Sequence, residues 1–133
     1  MRPVFAHTSF YGALLNPHDS FHGAANALSR EFRRRVVLTE FILLELGNAL
    51  SPVKSRRLFV DLVRHLGADR TVTIVPISRT LYDEGCSLYV RRTDKDWSLT
   101  DCISFVVMQK RGIREALTAD HHFEQAGFTI LLK

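Results

Sequence analysis

Residues Pro3 to Asn16 read "PVFAHTSFYGALLN". A short apolar run, Val4 to Ala6, ends in His7. Thr8 and Ser9, both good helix-capping residues, follow at once, and a helical pattern runs from Phe10 to Leu15 until Asn16-Pro17 stops it. This is the pattern of a strand ending in a polar residue at the mouth of a helix. In a parallel α/β sheet ligands bind beyond the carboxyl ends of the strands, so His7 stands where an active-site residue is expected.

The alternation continues. Asp19 or Ser20 is placed to cap a second helix through Ala24, Leu28 and Phe32, and Val36 to Leu38 reads as a short strand. Thr39 caps a helix over "EFILLELGNAL", which Pro52 breaks; Leu58, Leu62, Val63 and Leu66 mark the next helix, ending near Gly67. "TVTIVPI" is alternating and β-branched, as in a strand. Ser78 opens a helix carrying Leu81, Cys86, Leu88 and Tyr89. After the polar loop "RRTDKDW", Ser98 opens another, closed at Gly112. "EALTAD" and "FTILL" are the last strands, separated by a short helix over Phe123 to Ala126. Such alternation implies an α/β fold, a mostly parallel central sheet with helices on both faces. The 133 residues suffice for one domain, 1–133, without repeats or linkers.

Composition narrows the function. Hydrophobic residues at 46% and charged residues at 24% are ordinary globular values. The formal charge of +4 gathers at Arg30/Arg33/Arg34/Arg35, Arg56/Arg57, Arg91/Arg92 and Lys110/Arg111/Arg114. That field would attract a polyanion, although solvated helix faces look the same in composition. The seven glycines are scattered, with no G-x-G-x-x-G and no P-loop, which disfavours dinucleotide enzymes and NTPases. Cys86 and Cys102 lie in apolar helical patterns and read as reduced core residues. There is no signal-peptide pattern and no apolar run near the ~20 residues that span a bilayer, so a soluble cytoplasmic protein without membrane contact is expected.

The strand-end rule also selects the acids. Asp120 ends the "ALTAD" strand, and Asp101 falls in the first turn of the "SLTDCISFVVM" helix. Each has a plain structural explanation: Asp101 as the acidic half of a capping box with Ser98, Asp120 as a helix N-cap. Glu45 is different. It lies at the edge of the apolar stripe of Ile42, Leu43, Leu46 and Leu50, where an acid needs a partner or a metal. Several carboxylates in one place suit a hard divalent cation, Mg²⁺ or Mn²⁺, which activates water for attack on phosphorus. A basic surface around such a pocket suits a phosphodiester.

"VFAHTSFYGALL", "LTEFILLELGNAL", "WSLTDCISFVVMQKRGI" and "ALTADHHFEQAGFTILL" resemble, in order, the four blocks of PIN-domain nucleases, most closely the VapC-type toxins of bacterial toxin–antitoxin pairs. The resemblance runs nearly end to end and implies a PIN-like fold, metal-dependent endoribonuclease activity on RNA, inhibition by a cognate antitoxin, and a homodimer. Glu45, Asp101 and Asp120 match the family's second, third and fourth acids and are its catalytic and metal-binding set here; Asp96, in "DKDW", is either an extra metal-binding acid or an exposed loop charge. The first acid commonly stands as Asp-Thr or Asp-Ser after the first strand, and His7 occupies that place. Three explanations stay open. The change silences a toxic nuclease by design or selection, or the site has decayed naturally, or His7 binds a softer ion such as Mn²⁺ or Zn²⁺. His121 and His122 could approach His7, while His18 and His22 are spaced to share a helix face. Trp97 is expected to pack against the helix N-terminus rather than stack on a base. The rival to an attenuated nuclease is a non-catalytic PIN-like module that binds RNA or an antitoxin.

Overall fold

The computed structural model describes residues 2–133. Its elements are β1 (Val4–Ala6), α1 (Thr8–Leu15), α2 (His22–Glu31), β2 (Val36–Thr39), α3 (Glu40–Ala49), a 3-10 turn (Val53–Ser55), α4 (Arg56–Ala68), β3 (Val72–Val75), α5 (Arg79–Arg91), α6 (Leu99–Arg111), β4 (Glu115–Leu117), α7 (His121–Gln125) and β5 (Thr129–Ile130). The five strands form one sheet in the order β3-β2-β1-β4-β5, and every pair is parallel. The chain winds outward from β1 through β2 to β3, then crosses back over β1 to β4 and β5. The winding direction therefore reverses between β1 and β4, where an open parallel sheet leaves a crevice at its carboxyl edge.

Sequence explains the layers. Val4, Phe5 and Ala6 are wholly buried, and an unbroken apolar run is what a central parallel strand covered on both faces requires. At the edge, β3 keeps an alternation, with Val72 and Ile74 half-buried and Thr73 exposed. On one face α1, α2 and α4 bring Phe10, Leu14, Phe32, Leu62 and Leu66 together over Val36 and Val72. On the other, Phe5 meets Phe123 of α7, which packs edge-on against Phe105 of α6 at 4.9 Å. Right-handed crossovers put successive helices on opposite faces when the winding direction reverses.

The ends of several elements differ from the sequence reading. His7 is the N-cap residue of α1, so Thr8 and Ser9 lie inside its first turn, and no side chain caps that helix. Neither Asp19 nor Ser20 caps α2: Asp19 accepts from the Phe21 N–H in a tight turn and the helix starts at His22. His18 therefore lies outside the helix, while His22 Nδ1–H donates to the Ala13 carbonyl at 2.8 Å. β3 stops at Val75 because Pro76 has no N–H for the ladder. α7 begins at His121, ahead of Phe123, because the Asp120 side chain caps it. At the end of α6, Gly112 adopts φ +66° and the Ile113 N–H reaches back to the Met108 carbonyl, the left-handed stop that glycine allows. Both cysteines are free.

Candidate active site

Because β1 and β4 are parallel neighbours, the residues that follow them emerge side by side. The His7 N–H continues the ladder to the Leu117 carbonyl at 3.2 Å. Its ring Nδ1 lies 2.9 Å from Thr118 Oγ1 and 3.0 Å from Ser9 Oγ, and the two hydroxyls are 3.0 Å apart. Thr118 also accepts the Asp120 N–H at 3.0 Å. A hydroxyl both donates and accepts, so this triangle clamps the imidazole in either tautomer. Phe123 backs the ring at 4.7 Å. His7 is thus buried and held, with Nε2 facing Asp101 Oδ1 at 3.2 Å.

Asp101 arrives from the first turn of α6. Ser98 Oγ accepts the Asp101 N–H at 3.0 Å, but the Asp101 carboxylate faces the imidazoles of His7 and His122. Only 5% of the residue is exposed, and a charge so buried needs the helix N-terminus and partners such as these. The charge raises its neighbour too: burial first, then Asp101, pushes the Cys102 thiol up and leaves it inert. Asp120 serves twice. One carboxylate oxygen accepts the His122 N–H at 2.9 Å, capping α7, and lies 3.2 Å from His122 Nδ1. Glu45 projects from α3, and Thr8 donates to its Oε1 at 2.5 Å.

The structure therefore brings together His7, Asp101 and Asp120, whose ligand atoms lie within 4.8 Å of one another, with His121 and His122 grouped in the same way around Asp120. Glu45 is joined to this cluster through Thr8, the residue after His7. Asp96 is not brought in. It is exposed on the loop before α6, in a recess with Tyr89, Arg92 and Lys95. Trp97 packs edge-on against Phe105, its N–H on Gln125 Oε1 and its face under Arg92. Ser9 and Thr118 are the residues that sequence reasoning missed; their signal was a hydroxyl within three residues of the end of each of two adjacent strands. Carboxylates and imidazoles at this spacing are a donor set that fits a divalent cation.

Among the described residues no helix is long and apolar enough to cross a membrane. The PIN domain family profile matches residues 4–129. Over 125 residues, 94% of this chain and 95% of the relative, the sequence is 30% identical to the 23S rRNA-specific endonuclease VapC20 of Mycobacterium tuberculosis. The crystal structure of VapC20, a sarcin–ricin loop cleaving toxin, aligns with a TM-score of 0.85 and 29% identity, covering 95% of this chain and 96% of that one. VapBC2 from Rickettsia felis, solved with a promoter DNA fragment, shares the fold at a TM-score of 0.67 and 12% identity, each chain 97% covered. FitAcB from Neisseria gonorrhoeae does so at 0.67 and 15%, each chain 96% covered. The chain belongs to the PIN-domain family and is homologous to the VapC endonuclease toxins.

Proposed function

We propose that this protein is a metal-dependent endoribonuclease toxin that hydrolyses RNA phosphodiester bonds, with Mg²⁺- or Mn²⁺-supported activity attenuated by His7. The observation that carries the reading is the meeting of His7, Asp101 and Asp120 at the reversal point of the sheet, with Glu45 tethered alongside. A divalent ion there would lower the pKa of a bound water and stabilise developing charge on the leaving oxygen. Asp101 and Asp120 would hold it. Glu45, with Oε1 fixed by Thr8, keeps its second oxygen for orienting water toward phosphorus. Hydrolysis then adds hydroxide to phosphorus and a proton to the departing sugar oxygen. Lys95, on the loop leading into the Asp101 helix, adds positive potential for the RNA backbone, whereas Arg92 beside it is paired with Asp94. Identity with a 23S rRNA-specific endonuclease supports RNA as the substrate class.

His7→Asp tests the reading. Total RNA is incubated with each form and Mg²⁺ or Mn²⁺. Loss of one preorganised electrostatic contact of roughly 3–4 kcal/mol is a hundred- to thousandfold in rate, and the aspartate form should recover about that much. A cognate antitoxin would lay a cationic side chain over the acids, relieving their repulsion as a metal does; co-purification of a small partner and restored cleavage on its removal are expected. A homodimer is likewise proposed, and its mass in solution is the check. The Nε2 contact of His7 to Asp101 favours the second reading, a non-catalytic RNA- or antitoxin-binding module. No cleavage by either form with either ion would select it.

A further inference from the structure

We infer that the pocket of His7, Asp101 and Asp120, with His122 at its rim, is a mixed nitrogen–oxygen site that selects a zinc-class ion, Zn²⁺ or Co²⁺, over Mg²⁺; this rests on the reading that the pocket holds a metal. Donor chemistry is the first argument. Imidazole suits zinc-class ions, whereas Mg²⁺ prefers oxygen donors and keeps several of its waters.

Spacing is the second. Around a tetrahedral ion with bonds of about 2.0–2.2 Å, neighbouring donors lie about 3.3–3.6 Å apart. His7 Nε2 is 3.2 Å from Asp101 Oδ1, and His122 Nδ1 is 3.2 Å from Asp120 Oδ1 and 3.7 Å from Asp101 Oδ2. A hydrogen bond would account for one such contact. Here two imidazoles from different elements meet Asp101, one at each carboxylate oxygen, and His7, Asp101 and Asp120 offer three donor atoms within 4.8 Å of one another.

The support behind His7 is the third. A metal-binding histidine donates its other ring N–H to a fixed acceptor, which sets its tautomer and tilt. Thr118 and Ser9 offer that acceptor at Nδ1, and either can take the proton, leaving the Nε2 lone pair toward the carboxylates. Thr118 is also bonded to the Asp120 N–H, so one hydroxyl sets the spacing of two ligands from two strand ends. His121 is left outside: its ring is 70% exposed and its Nδ1 is 3.8 Å from Asp120.

The test is a Co²⁺ titration of the full chain followed by visible absorption. The strong bands of four-coordinate Co²⁺ are expected, bleached by one equivalent of Zn²⁺ and untouched by a large excess of Mg²⁺. Thr118→Val should weaken Zn²⁺ binding about ten- to a hundredfold, as loss of a ligand's outer partner does, and His7→Asp should weaken it at least as much while improving Mg²⁺ binding. The weak spectrum of six-coordinate Co²⁺, or displacement of Co²⁺ by Mg²⁺, overturns the inference, and the wild-type titration alone decides this if a variant does not fold. RNA cleavage is read separately. Six-coordinate Co²⁺ with Mg²⁺-driven cleavage sinks ion selection and spares the nuclease. Four-coordinate Co²⁺ without cleavage under any ion does the reverse.

Discussion

Thr8 shows how much a single side chain carries at this site. Its hydroxyl is the recorded hydrogen-bond donor to the Glu45 carboxylate, and a hydrogen bond to a charged group is worth about 1.5–3 kcal/mol. Thr8→Val keeps the shape and removes the bond. It should lower kcat in the cleaving form by about ten- to a hundredfold, with KM little changed, because Glu45 would then sample orientations that do not face the substrate; steady-state cleavage of a short RNA measures both constants. Asp96→Ala makes the opposite case. Its carboxylate lies in another recess, so calorimetric metal affinity should match that of the unmodified chain. A drop as large as that of Asp101→Asn would place Asp96 in the pocket after all. At this scale Asp101 and Asp120 are legible in the sequence because strand ends and helix first turns have fixed positions in a parallel sheet, whereas Glu45 is legible only through its apolar neighbours. Ser9 and Thr118 are hidden, since a hydroxyl near a helix start reads equally well as a cap.

At the scale of elements, α5 and α6 form a tight seam. A Cβ built on Gly85 would sit 2.2 Å from Ile103 Cγ1 and 3.3 Å from its Cα, so the helices meet with nothing between them. Gly85→Ala should destabilise by about 1–3 kcal/mol through overpacking, more than the roughly 1 kcal/mol that alanine adds as a better helix former. Gly67→Ala in α4 is the control: its side meets open space, and a gain of about 0.5–1 kcal/mol is expected. Urea midpoints for the two variants should move in opposite directions. Periodicity finds both helices and cannot say which glycine faces a neighbour, because that depends on how two distant stretches cross. Boundaries fail for a similar reason. Asp19 has a cap's chemistry, yet its carboxylate serves a turn.

Across the molecule, the two edges of the sheet have different tasks. The carboxyl edge holds the polar cluster; the amino edge is tied by Arg34, which pairs with Glu115 at the start of β4 and donates to the Arg2 carbonyl at 2.9 Å. The Arg34 hydrogen bond holds the Glu115 carboxyl below the usual glutamate range. A carboxyl that ionises more easily when folded stabilises the protein above its unfolded pKa, about 4.3, and loses that contribution as pH falls through the lower folded value. Glu115→Gln should therefore cost a few tenths to about 1 kcal/mol at neutral pH, and its unfolding curve should merge with wild type in acid. Several other cations of the counted clusters are paired as well, Lys110 with Glu84, Arg57 with Asp61 and Arg92 with Asp94, so the basic clusters counted in the sequence overstate the charge open to RNA. The fold itself is legible because each strand-length apolar run is separated from the next by one or two helix-length runs. The position of β4 beside β1 is supplied by the crossover rules, not by local pattern.

That placement has a consequence for the cell that makes the protein. Thr118, which clamps His7, is synthesised 111 positions after it. Domains generally fold as units, and although β1 can pair with β2 early, the pocket waits for β4. While the segment carrying Thr118 and Asp120 is still in the exit tunnel, His7 and Glu45 can already be outside it. Until that segment emerges the translating ribosome presents only part of the cleft, and the donor set is complete once β4 has joined β1.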